Sequence, residues 1–147
     1  MSGIIVGVDG SGHSQRALEW AMTEAAIRHV PLTVLTVNEA VRGHYGGTAV
    51  YPDDPDRTEQ ARQAAQAETD TALAGLAGPR PESVAVNAVH GFPVEELIKA
   101  SRDADLIVLG SRGAGGFTRL MMGSVAGQVA QHAHCPVLIV PPEESRP

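Results

Sequence analysis

The residues best suited to chemistry form a glycine-rich run, Gly110-Ser111-Arg112-Gly113-Ala114-Gly115-Gly116, with Gly123-Ser124 a short way beyond it. Without a Cβ, glycine reaches positive φ and lets backbone N–H groups come close to phosphate oxygens. A helix opening at Gly123-Ser124 adds unpaired N–H groups and the positive end of its dipole. Such a loop cradles an anion without a lysine. The Ser124 hydroxyl can donate to a terminal phosphate, and Arg112 or Arg119 can add charge. Taken singly, the same glycines also read as a tight turn and Ser124 as a helix cap. A second candidate is Val8-Asp9-Gly10-Ser11-Gly12, where a strand gives way to a helix. In an open α/β sheet, ligands bind beyond the carboxyl ends of the strands where the strand order reverses, and both segments belong there.

Other chemistries fit less well. Gly10-Ser11-Gly12 with Glu39 resembles half of a dinucleotide fingerprint, but Gln15 stands where close helix packing needs glycine or alanine. No lysine-bearing phosphate loop and no nucleophile elbow occur. His132, His134 and Cys135 offer metal-ligand types without a shared helix face, and Pro136 forces Cys135 out of the helix. His13, His29, His44 and His90 are scattered, and only His13 lies close to the candidate site.

The elements that must position these residues are legible as apolar runs. Ile4 to Val8, Leu32 to Val37, Val84 to Val89, Leu106 to Leu109 and Val137 to Val140 read as strands, several without polar alternation, as in a sheet covered on both faces. Between them, Ser14 to His29 carries Ala17, Leu18, Ala21 and Ala25 on one helical face, with Ser14 available as N-cap. A second helix is expected over roughly Thr58 to Ala77, ended by Gly78-Pro79 and Pro81. A third starts near Pro93, with Glu95 and Glu96 complementing its dipole, and the last follows Gly123 and stops before Pro136. Strict β-α alternation points to a doubly wound parallel sheet with right-handed crossovers. The stretch from Asn38 to Asp56 reads as a long loop above the strand ends, and Pro141 to Pro147 as a flexible tail.

Composition narrows the function classes. A chain of 147 residues fits one domain, and 43% hydrophobic with only 3% aromatic residues implies a core of Val, Leu, Ile and Ala. Seventeen acidic against 11 basic side chains give a net charge of −6, which disfavours nucleic acid and anionic membrane as partners. The single cysteine, Cys135, has no internal disulfide partner, and the opening MSGIIVGVDG has neither a basic leader nor a spanning apolar run. A cytoplasmic location is expected.

Gly110-x-x-Gly113, nine residues, then Gly123-Ser124 resembles the pattern of the ATP-binding branch of the universal stress protein family. VGVDGS, HGFPVEELIKAS, ADLIVLGSRG and GSVAGQVAQHAHCPVLIV resemble further family landmarks, in order along nearly the whole chain. The fold class expected is therefore α/β: a doubly wound, five-stranded parallel sheet of order 3-2-1-4-5 with helices on both faces, Rossmann-like, as a single domain. The resemblance implies that Asp9 and Ser11 lie near ribose and phosphates and that the backbone at Val37 meets adenine. It also implies Gly110 at the ribose, with Gly113, Gly123, Ser124 and Val125 around the phosphates. Asp9 would help hold a nucleotide-bound Mg²⁺ or Mn²⁺, or else cap the first helix. Ala126 stands where many relatives carry a second hydroxyl, so ADP, AMP and cyclic AMP stay open beside ATP. Met121 and Met122 read as gap-filling residues under the loop. The resemblance further implies a homodimer through Val137 to Val140. With no Glu or His at a motif position beside a γ-phosphate, the expected role is a nucleotide-dependent regulator with an unidentified protein partner, not an enzyme. A dimeric interaction module without nucleotide and a slow ATPase are the alternatives.

Overall fold

Branched apolar runs alternate with alanine-rich helical stretches, and the two kinds of element settle into separate layers. The structure is a computed structural model, and it describes residues 3–10, 14–39, 54–111 and 124–142. Its elements are β1 (Gly3–Val8), α1 (Gln15–Arg28), β2 (Leu32–Glu39), α2 (Pro55–Ala74), β3 (Val84–Gly91), α3 (Pro93–Ser101), β4 (Ala104–Gly110), α4 (Ser124–His132) and β5 (Val137–Val140). All pairings are parallel and the strand order is β3-β2-β1-β4-β5, as expected from the sequence. The order reverses between β1 and β4, which places the crevice for a ligand over their carboxyl ends.

Side-chain alternation along the strands divides the core in two. Ile4, Val6 and Val8 of β1, Leu32 and Val34 of β2 and Leu106 and Val108 of β4 join the buried residues of α1 and α2 in one cluster. Leu35, Ile107 and Leu109 point the other way and join Leu97 of α3 with Ala126 and Val129 of α4. Helices therefore cover both faces. Gly7 makes the second layer possible, since a Cβ there would stand 2.7 Å from Leu109 Cδ2.

Several element ends differ from the sequence expectation, most of all those of α2. The second helix starts at Pro55, three residues before Thr58, because the Asp54 carboxylate accepts from the Asp56 and Arg57 amides at 3.0 and 3.4 Å and Pro55 fits the first turn. It stops at Ala74 with Gly75 as C-cap, so Gly78-Pro79 is not its terminator. β2 runs on through Asn38 and Glu39, and Asp54 to Asp56 belong to the start of α2, which leaves 40–53 of the expected loop outside the described residues. Ser14 occupies the N-cap position of α1 but makes no capping hydrogen bond. The tail expected from Pro141 lies outside the described residues from 143 on, and Pro141 itself accepts a hydrogen bond at 2.9 Å from the Arg16 guanidinium.

Candidate functional site

The parallel register sets three of the candidate residues side by side. Val8 of β1 pairs with Thr36 of β2, so Asp9, one residue further, stands level with Val37. On the other side Val6 pairs with Val108 of β4, which places Val8 level with Gly110 and Asp9 level with Ser111. Val37, Asp9 and Gly110-Ser111 thus stand in one row near the carboxyl ends of three neighbouring strands, about 4.8 Å apart from strand to strand. In the same row Gly110 pairs with Val140 of β5.

Asp9 is exposed at the head of β1, and the turn after it depends on Gly10, whose φ of +75° lies in the left-handed region. The N-cap position of α1 belongs to Ser14, five residues on, so Asp9 is not the cap. The Ser111 amide donates to the Val140 carbonyl at 3.0 Å, so that backbone N–H extends the sheet.

α4 is the crossover from β4 to β5, so its N-terminus lies at the carboxyl edge of the sheet. Val125, Ala126 and Val129 dock it onto Ile107, Leu109 and Ile139, while Ser124 at its first position is exposed. The orphan amides of its first turn and its positive dipole end face the row of strand ends, a setting that favours an anion. Ala126 is only 3% exposed, so that side chain serves packing. Of the candidate residues, Asp9, Val37, Gly110, Ser124 and Val125 are brought to one edge. Ser11, Arg112, Gly113 and Gly123 lie outside the described residues, as do His13, Arg119, Met121 and Met122.

Two features beside the row have no signal in the sequence. Asn38 donates to Thr58 Oγ1 at 3.1 Å, tying the end of β2 to α2. Its register partner His90 has a buried Nδ1 with no hydrogen-bond partner among the described residues. Both depend on where the folded chain puts α2, which spacing alone does not reveal.

The backbone of the histidine and cysteine run ties two elements together. Among the described residues no group of three His, Cys, Asp or Glu side chains is placed to hold a metal ion. The backbone N–H of His134 donates to Ser101 Oγ at 2.9 Å, and that hydroxyl donates in turn to the Ile98 carbonyl, fastening the end of α3 to the approach to β5. Burial pushes the Cys135 thiol above its ordinary value. No helix among the described residues is long and apolar enough to cross a membrane.

Comparison with known proteins agrees with this layout. The model of the universal stress protein family matches residues 1–141. Universal stress protein Rv2005c of Mycobacterium tuberculosis is 33% identical over 145 residues, covering 94% of this chain and 47% of that protein. The chain spans about half the length of such relatives. A universal stress protein solved in complex with cAMP superposes with a TM-score of 0.66 at 25% identity, covering 97% of this chain and 98% of that one. The universal stress protein of Archaeoglobus fulgidus in complex with dAMP gives 0.59 at 26% identity, covering 95% and 97%. With the fold, the order of its strands and the family model in agreement from end to end, the chain belongs to the universal stress protein family.

Proposed function

We propose that this chain is a nucleotide-dependent regulatory switch that binds ATP, with Mg²⁺ or Mn²⁺, in the crevice between the ends of β1 and β4. The observation that carries the reading is the row of Val37, Asp9 and Gly110 facing the N-terminus of α4 across a point where the strand order reverses. Adenine meets the end of β2 at Val37. Ribose lies between Asp9 and Gly110. The phosphates reach the first turn of α4, with Ser124 and the Val125 amide as donors and Ser11, Arg112, Gly113 and Gly123 completing the cradle. The exposed Asp9 carboxylate and phosphate oxygens are hard ligands of the kind Mg²⁺ takes. Two structural neighbours solved with cAMP and dAMP support an adenine nucleotide as the ligand class.

Occupancy changes the surface that a protein partner meets, and no turnover is needed for that. The switch acts in the cytoplasm as a homodimer paired along β5, an apolar edge strand that needs cover. Calorimetric titration of the nucleotide-stripped protein with ATP and magnesium tests the reading. Saturable binding lost in Gly123→Val/Ser124→Ala is expected. No heat from a folded wild type would replace the switch with a dimeric interaction module, and steady ATP turnover abolished by Asp9→Ala would replace it with an ATPase.

A further inference from the structure

α1 follows β1 directly, so its first turn opens on the same crevice as the first turn of α4, from the opposite face of the sheet. Ser14 stands in its N-cap position with φ −87° and ψ −1°, and its side chain makes no capping bond. The residue is 4% exposed, and its Oγ is buried with no hydrogen-bond partner among the described residues. A hydroxyl withdrawn from water without a partner destabilises the empty protein.

The Cα–Cβ bond in a helix tilts toward the N-terminus, so the Ser14 side chain leans toward the start of α1. The amide of Leu18 bonds to the Ser14 carbonyl at 2.9 Å, and those of Gln15, Arg16 and Ala17 ahead of it have no hydrogen bond among the described residues. No acidic side chain stands in that turn. Hydroxyl, amides and dipole all ask for an acceptor bearing negative charge.

We propose that Ser14 Oγ and the first-turn amides of α1 form a second oxyanion subsite, apart from the glycine loop, that takes a phosphate oxygen. The subsite rests on the nucleotide reading above for its ligand but not for its chemistry. A phosphate of bound nucleotide and free phosphate satisfy it alike, and two helix N-termini then grip the crevice from both faces of the sheet.

The test combines amide NMR on the wild type with melting and calorimetry of Ser14→Ala, using inorganic phosphate, adenosine and ATP with magnesium. Phosphate is expected to move the amides of Gln15, Arg16 and Ala17 and to raise the wild-type melting temperature. Ser14→Ala should melt no lower than wild type when empty, lose the phosphate-induced rise, and bind ATP about ten-fold more weakly with adenosine affinity unchanged. A variant that melts lower when empty would show the hydroxyl already serving as a cap, and first-turn amides that stay still with both phosphate and ATP would overturn the subsite. If ATP gives no heat while phosphate still moves those amides, the nucleotide reading fails and the subsite stands as one for free phosphate.

Discussion

The carboxyl edge of the sheet is decided by a few side chains and by one turn. Gly10 holds φ at +75°, where an L side chain is strained, and a Cβ there would meet only Ala64 at 4.0 Å, so space is not the constraint. Gly10→Ala is therefore expected to cost about 1 kcal/mol of stability in urea unfolding, through backbone strain alone. If Asp9 holds the metal, Asp9→Asn weakens binding of the magnesium complex several-fold and leaves binding in the presence of a chelator nearly unchanged; calorimetry with and without EDTA decides it. Cys135 gives a check by pH. Burial raises its thiol above the ordinary value, so less thiolate is present at any given pH. Its alkylation near pH 8 should be slower in the folded protein than in urea, and the gap should narrow as pH rises. At this scale the sequence was informative where a strand ends, since Val37, Asp9 and Gly110 close apolar runs that can be read directly. It was silent on Ser14 Oγ and His90 Nδ1, whose burial without a partner among the described residues is a property of the folded chain.

Among the elements, all nine expected ones are present in the described residues, and the differences lie at element ends, most of all at those of α2. The apolar periodicity of α2 begins late, with Ala65, Thr69 and Ala72 as its buried residues, so its exposed first turns carry no hydrophobic signal. What starts the helix is Asp54 followed by Pro55, a cap that periodicity does not register. Asp54→Ala should cost about 1 kcal/mol in chemical denaturation. α1 ends with His29 as C-cap at φ 56° and ψ 47°, a left-handed conformation that favours glycine. His29→Gly is expected to stabilise the protein by up to about 1 kcal/mol, and a loss of stability would mean that the imidazole contributes more than its backbone strain costs.

For the molecule as a whole, alternation of strands and helices was enough to read a doubly wound sheet, because each covered strand shows the apolar run that burial on two faces demands. The interior of the crevice was less legible, since it depends on segments brought together from β1, β2, β4 and α4. Assembly through β5 has its own test. The Pro136 and Val140 carbonyls accept from Ile107 and Ser111 of the β4 side, so the backbone groups of Val137 and Ile139 face the open edge. Ile139→Pro removes an outward donor without touching the β4 ladder, and light scattering should report a dimer for the wild type and a folded monomer for the variant. The central claim, an adenine nucleotide across the ends of β2, β1 and β4, is tested most directly by amide NMR of the nucleotide-stripped protein titrated with ATP and magnesium. Saturable shifts concentrated at Val37, Asp9, Gly10, Gly110, Ser124 and Val125 are predicted; shifts confined to other surfaces, or none at saturating ATP, would contradict it.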